Sequence, residues 1–142
     1  MVDKYDLALP RALGHFMLGL ARTEQDDMDG GLALMEEHHA VTVRHSFLGM
    51  YPHVVMADAL ARAGRRRDAL ALVTRTLETI VSPEVGLHVS ELWRMRGELM
   101  LAETGADRVM AERCLVTAFE ISDAQGATIY RKRAVTALDG LA

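Results

Sequence analysis

One apolar pattern recurs three times along this chain, at intervals of about 40 residues. GLALM at 31–35 aligns with ALALV at 69–73, an offset of 38 residues. The segment 69–77 aligns in turn with 111–119, an offset of 42 residues. Repeats of this length with two helices per unit are typical of α-solenoids, because one helix pair cannot bury its own apolar face and stacks on the next. The repeat therefore favours stacked helix pairs.

The spacing of apolar residues within each unit is helical. Between Ala111 and Ala118 they follow the i, i+3, i+4, i+7 pattern of one helix face, and no segment alternates apolar and polar residues as a half-buried strand would. Gly64, Gly105 and Gly126 are placed to end helices in the left-handed conformation, and Pro52 falls in a predicted first turn, where proline is tolerated. We predict one all-α domain over 1–142, with seven antiparallel helices and no sheet. The predicted helices are 10–26, 28–45, 50–63, 66–81, 86–103, 107–124 and 127–140.

Composition excludes several classes of protein. Of the 142 residues half are hydrophobic and a quarter charged, which fits a soluble domain with a core, and the net charge of −4 argues against direct nucleic-acid binding. The single cysteine, Cys114, allows no intrachain disulfide, as in a reducing compartment. The polar N-terminus and the charges that interrupt every apolar stretch predict neither a signal peptide nor a membrane span. We therefore expect a cytoplasmic protein without a membrane partner.

Small and large residues at fixed positions of the repeat resemble the tetratricopeptide (TPR) family. The third unit matches the family's pattern best, and the match weakens toward the N-terminus, where His38 stands at a position that is usually alanine. In the second unit Thr76 replaces a small apolar residue. The matching residues are Trp93, Gly97, Ala111, Leu115 and Ala118 in the third unit, Ala57, Leu60, Ala69 and Val73 in the second, and Leu18, Gly19, Gly31 and Met35 in the first.

A closer resemblance lies in SELWRMRGELMLA at 90–102, with AFEI at 118–121 and QGA at 125–127. These segments, with ARAGR at 61–65 and DALAL at 68–72, are similar to the TPR-like C-terminal region of large bacterial signalling proteins. In those proteins a predicted ATPase module is joined to a class III adenylate cyclase domain or a winged-helix transcriptional activator domain. The chain itself resembles neither module, so it is either an excised C-terminal region or a stand-alone relative.

The resemblance implies a non-catalytic protein-interaction module with a concave groove lined by the first helix of each pair. Among these groove positions, Tyr51, Arg62, Arg94 and Glu98 are expected to project into one concavity. The alternative is that Arg62, Arg94 and Glu98 only form exposed ion pairs, which contribute roughly 0–1 kcal/mol each. The full set of protein-binding residues carried over from the family is Phe16, Tyr51, Val54, Asp58, Arg62, Glu91, Arg94 and Glu98.

Three interpretations of the function remain open. The first is binding of a protein or peptide segment, or of neighbouring domains of a larger protein. The second is ligand sensing by a regulatory domain that controls an attached cyclase, ATPase or DNA-binding module. The groove set lacks the dense Lys and Arg clamp that some TPR domains use for a C-terminal carboxylate, so that partner class is not supported. A metal-dependent or other enzyme is the third and least favoured interpretation.

The second predicted helix carries a cluster of two glutamates and two histidines, and a further histidine, His45, lies on the same helix. His38 and His45 are seven residues apart and share a face, which with Glu37 or Thr42 is a possible start of a metal site. The i, i+4 histidine pair of a helical zinc motif is missing, so we predict a partly buried helix face and neither metal nor cofactor. The clustered residues are Glu36, Glu37, His38 and His39.

Three other features have structural interpretations. The run 65–67 (RRR) is expected to be solvated turn surface, although it could contact nucleic acid or an acidic partner. Cys114 lies on an apolar stripe and is read as inert core, and no local catalytic motif is present. Five of the nine methionines are expected to fill gaps in the core, namely Met35, Met56, Met95, Met100 and Met110.

The two ends of the stack are expected to differ. The N-terminal end, starting at Leu7, Leu9 and Leu13, has no polar cap and would expose an apolar patch, so we expect a homodimer through it or a preceding repeat. The last helix is expected to cap the other end. Its residues predicted to point inward are Tyr130, Ala134, Leu138 and Leu141, and those predicted to face solvent are Arg131, Lys132 and Arg133.

Overall fold

Seven helices account for the regular structure of the chain in a computed structural model that describes residues 7–45, 49–80 and 86–142. No strand is present within these three ranges, which confirms the all-α prediction. Each helix boundary lies within a few residues of its predicted position. The helices are α1 (Ala8–Glu24), α2 (Met28–His45), α3 (Tyr51–Arg62), α4 (Arg66–Glu78), α5 (Val89–Leu101), α6 (Arg108–Ala124) and α7 (Thr128–Asp139).

The helices pack as pairs joined by tight turns. Helix α1 packs on α2, α3 on α4 and α5 on α6, and the first helices of successive pairs also contact each other, α1 with α3 and α3 with α5. Helix α7 packs on both α5 and α6. This arrangement is consistent with a helical repeat.

Left-handed residues end the helices before three of the turns. Gly64 (φ 82°) and Gly126 (φ 64°) each follow a helix by two residues, as the sequence predicts. Gly105 (φ 74°) is also left-handed, but it lies later in the turn and does not end α5 as predicted, because the helix already stops at Leu101. In the turn between α1 and α2 the equivalent position holds Asp26, with φ 65°. A non-glycine residue in this conformation costs roughly 1–2 kcal/mol.

The helices of a pair approach most closely at small residues. A Cβ added to Gly19 would lie 2.7 Å from the carbonyl oxygen of Gly31, and one added to Gly97 would lie 2.9 Å from that of Ala111. Pairs of small residues thus allow backbone-level contact between α1 and α2 and between α5 and α6. The third pair of small residues is Ala57 on α3 and Ala69 on α4, and both are fully buried.

The main core is formed by residues from all five helices α1 to α5. Phe16, Met35 and Val73 are fully buried in it, and Leu92 and Val89 extend it into α5. Further buried residues on α6 and α7 are Ala111, Cys114, Leu115, Ala118 and Ala134. No helix in the described ranges is both long enough and apolar enough to cross a membrane.

The capping helix α7 agrees with its prediction only in part. Ala134 is buried and Leu138 and Leu141 are half-buried, while Arg131 and Lys132 are exposed. Tyr130 is half-buried, but its hydroxyl bonds to His88 of another repeat unit. Arg133 is also exposed overall, yet it reaches back to a carboxylate on α5.

Candidate functional site

A cavity of about 840 Å³ lies where α3, α5 and α7 meet. Five of the eight predicted groove residues line it, namely Tyr51, Val54, Asp58, Glu91 and Arg94. Because α3 and α5 are first helices of successive pairs, they present equivalent positions side by side. The other lining residues are Val55, Leu87, His88, Met95, Ala127, Thr128, Ile129, Tyr130 and Arg133.

The remaining three predicted groove residues do not line this cavity. Phe16 is fully buried in the core, because the face of α1 that carries it packs against α2 and α3. Arg62 instead ties α3 to α1, through an ion pair with Glu24 (2.9 Å). Glu98 lies beyond the cavity and accepts a hydrogen bond from Nη1 of Arg94. Tyr51 and Arg94 therefore share one concavity, and Arg62 and Glu98 do not join them.

A buried carboxylate organises the charged side of the cavity. Glu91 on α5 is only 3% exposed, and its oxygens accept hydrogen bonds from Nε (3.0 Å) and Nη2 (2.7 Å) of Arg94. Its Oε1 also accepts a hydrogen bond from Nη1 of Arg133, 2.8 Å away on α7. Burial by itself raises the pKa of Glu91, and the two arginines outweigh burial and lower it below the usual value. Glu91 is therefore ionised at neutral pH and joins α5 to α7.

An aromatic row forms a second side. The rings of Tyr51 and Tyr130 both contact His88, with centroids 5.5 and 5.7 Å from it. Tyr130 Oη lies 2.6 Å from Nδ1 of His88. Burial lowers the pKa of His88, although Glu91 opposes this, and burial raises the pKa of Tyr130. At neutral pH Nδ1 of the neutral imidazole can accept a hydrogen bond from the Tyr130 hydroxyl, which adds a polar link between the start of α5 and α7 to the one that Glu91 makes.

Two apolar side chains at the cavity are largely exposed. Leu87, just before α5, is 61% exposed and Ile129, in the first turn of α7, is 67% exposed. Below them Val54, Val55 and Met95 are partly or fully buried. Exposed apolar residues that continue into a buried apolar floor are typical of a binding surface.

Among the described residues of α2, His38 contacts one aromatic and one acidic neighbour. The ring of His38 stacks on that of His15 (4.7 Å), and its Nε2 lies 3.9 Å from Glu37. Thr42 is fully buried, and the side chain of His45 lies outside the described residues. Within the described ranges no group of three or more potential ligands comes together.

A separate histidine pair lies inside the helix stack. The rings of His39 and His53 meet edge to face at 5.0 Å, and Thr76 Oγ1 lies 3.4 Å from Nδ1 of His53. Burial, with a smaller contribution from His39, lowers the pKa of His53 to about 4. Thr76, which departs from the small residue of the repeat pattern, also donates to the carbonyl of Leu72 (2.8 Å).

The arginine run is exposed, as expected, but it lies at the start of α4 and not in the preceding turn, because Arg65 is the N-cap and Arg66 and Arg67 are the first two residues of the helix. Arg65 pairs with Glu36 of α2 (2.8 Å) and with Asp68 (2.7 Å), and Arg67 is exposed, with Glu103 3.6 Å away. These pairs neutralise two of the three cations. The run therefore joins α2, α4 and the turn after α5 at the surface.

Cys114 and most of the methionines lie where the sequence indicates. Cys114 is buried, and burial raises the pKa of its thiol. Met35, Met56 and Met95 are buried, and Met100 is partly buried. Met110 is exposed, so its assignment to the core is wrong; it lies in the first turn of α6, away from the face that packs on α5.

The contribution of α7 to the cavity was not predicted from the sequence. Ile129, Tyr130 and Arg133 follow i, i+1, i+4 spacing, so they occupy one side of α7, as groove residues do on α3 and α5. Treating α7 as the first helix of a fourth pair would have identified them. No protein-family model, curated protein or solved structure matches this chain at a significant level.

Proposed function

We propose that this chain is a non-catalytic, TPR-like interaction module that binds a segment of another protein in the cavity between α3, α5 and α7. The observation that carries the proposal is the convergence of five groove residues on one cavity, flanked by exposed Leu87 and Ile129. An uncovered apolar patch with a polar surround is typical of a surface that a partner covers.

The small-residue pairs support the repeat on which this proposal rests. Gly19 with Gly31 and Gly97 with Ala111 occupy equivalent positions of the TPR-like pattern, and each marks a close approach within its helix pair. With the resemblance to the C-terminal region of bacterial signalling proteins, they support a scaffold or regulatory role in the cytoplasm. Any cyclase or ATPase activity would belong to other sequence.

The proposal is tested by selecting binders from a displayed library of random 12-residue peptides on the immobilised chain. Ile129→Asp places a charge in the cavity, and Val109→Asp is its matched control, because Val109 is similarly exposed (63%) but lies on α6 outside the cavity. Enriched peptides should bind the control like the parent and bind Ile129→Asp at least about tenfold more weakly. Equal binding to all three proteins would refute the cavity as the site.

The cavity volume also supports ligand sensing as a second candidate function. About 840 Å³ lies within the range of small-molecule pockets, roughly 300–1,000 Å³. A small ligand would raise the melting temperature of the parent and of Val109→Asp but not of Ile129→Asp, and it would displace selected peptides. Screening nucleotides and amino acids by thermal shift distinguishes this function from peptide binding alone.

A further inference from the structure

The two arginines of the cavity differ in how many of their donors are already used. Arg94 gives Nε and Nη2 to the two oxygens of Glu91, and Nη1 to Glu98. Every guanidinium nitrogen of Arg94 therefore has a carboxylate partner. This arginine is part of the wall of the cavity, and its Nε–Nη2 fork is already occupied by Glu91.

Arg133 has a free edge. Only its Nη1 donates to Glu91, and Nε and Nη2 make no hydrogen bond within the described ranges. These two nitrogens lie on the same side of the guanidinium and form the fork that matches both oxygens of a carboxylate. The side chain is about half-exposed where it lines the cavity, so a ligand can reach the fork.

The position of Arg133 is also set in advance. Its Nη1 is held by a buried carboxylate, and its Cζ lies over the ring of Tyr130, 5.8 Å from the centroid. An arginine held on two sides loses less side-chain freedom when it pairs with a ligand than a mobile surface arginine does. One helical turn before Arg133, Ile129 presents an exposed apolar side chain at the same cavity.

We infer that the cavity recognises a peptide segment carrying an Asp or Glu side chain next to an apolar residue, with the carboxylate on the free fork of Arg133 and the apolar side chain between Leu87 and Ile129. The inference rests on the proposed function and adds the chemistry of the partner. An acidic residue complements Arg133, because its Nε–Nη2 fork is unused whereas that of Arg94 is occupied by Glu91. The charges of the lining residues balance, because Asp58 and Glu91 oppose Arg94 and Arg133. Recognition therefore depends on the hydrogen bonds between the peptide carboxylate and Arg133, and little on long-range attraction.

The test uses the peptides selected from the 12-residue library, each compared with a version in which its Asp or Glu is replaced by Asn or Gln. The proteins are the parent, Arg133→Gln, Arg133→Lys and the control Arg131→Gln. Arg131 is on the same helix but pairs with Asp123 and does not line the cavity. Binding is measured by fluorescence anisotropy, and the fold of each variant is checked by circular dichroism.

Peptides of the parent selection should be enriched in an acidic residue within one helical turn of an apolar one. Neutralising that residue should weaken binding about tenfold to the parent and to Arg131→Gln, and less than threefold to Arg133→Gln. Arg133→Lys should restore only part of the affinity, because lysine keeps the charge but lacks the fork.

The outcomes separate this inference from the proposed function. Peptides that bind Arg133→Gln like the parent but fail to bind Ile129→Asp would overturn acidic recognition and leave the groove as a peptide site. A neutralised peptide that loses equal affinity for the parent and for Arg133→Gln would place its carboxylate elsewhere and also overturn the inference. A selection in which no peptide is enriched would overturn both proposals.

Discussion

Replacing Gly19 by alanine tests how α1 and α2 are held together. The new Cβ would lie 2.7 Å from the carbonyl oxygen of Gly31 and 2.8 Å from Cγ of Met35. The methionine side chain can move, but the backbone oxygen moves only if the two helices separate. Over-packing of this kind costs about 1–3 kcal/mol.

The same substitution has an opposing effect, because alanine is about 1 kcal/mol better than glycine inside a helix. The net loss of unfolding free energy expected for Gly19→Ala is therefore between roughly 0 and 2 kcal/mol. Gly14→Ala is the matched control on the same helix, since a Cβ there has nothing within 4 Å. It should gain about 0.5–1 kcal/mol.

Urea unfolding followed by circular dichroism measures both variants against the parent. The two should differ by roughly 1–3 kcal/mol in unfolding free energy, because the gain in helix propensity is common to both, with Gly19→Ala the less stable and Gly14→Ala above the parent. In thermal scans each kcal/mol corresponds to roughly 3–5 °C for a chain of this size. If Gly19→Ala is as stable as Gly14→Ala, the close approach of α1 and α2 at Gly31 is refuted, and with it the pairing of small residues as the basis of the repeat.

Three further predictions address the turns, the interior and the N-terminal end. Asp26→Gly should raise the unfolding free energy by up to about 1 kcal/mol in urea, because glycine adopts the positive φ of that turn without steric cost; a loss would contradict the strain argument. His53, with a pKa of about 4 when folded and about 6.5 when unfolded, stabilises the fold above pH 6.5 and loses that contribution as the pH falls toward 4. Since its side chain is only partly buried, unfolding in urea should show the parent losing roughly 1–2 kcal/mol more than His53→Gln between pH 7.5 and pH 5, and equal losses would refute the assignment. Leu7 and Leu18 are exposed on one face of α1, so the chain should self-associate at high micromolar concentration in sedimentation, and Leu18→Lys should abolish this; a monomeric parent would argue instead for a preceding repeat.

Helix positions could be predicted from the sequence because their signals are local. Gly64 and Gly126 end helices since only a residue without a side chain adopts positive φ freely, and Pro52 starts one because its missing N–H needs no partner there. The apolar stripes at helical spacing then showed which face of each helix is covered. The positive φ of Asp26 was not predicted, because the turn between α1 and α2 imposes a conformation that aspartate does not favour by itself.

The composition of the cavity could be predicted only where the repeat applies. Tyr51, Val54 and Arg94 were found because equivalent positions on successive first helices line the same surface. Phe16 was misplaced because its groove position was carried over from the family, whereas α2 and α3 cover the face of α1 on which it lies.

The connection between α5 and α7 was decided by tertiary structure alone. Arg133 lies 42 residues from Glu91 along the chain, and no local pattern links the two. Their pairing depends on the orientation of α7 relative to α5. That orientation is determined by the packing of the intervening helices. A buried carboxylate must find cationic partners wherever the fold places them, because leaving it unpaired costs several kcal/mol. The sequence by itself thus determined the helices and their buried faces, and the tertiary structure determined which charges meet, because ion pairs between distant segments exist only after the chain has packed.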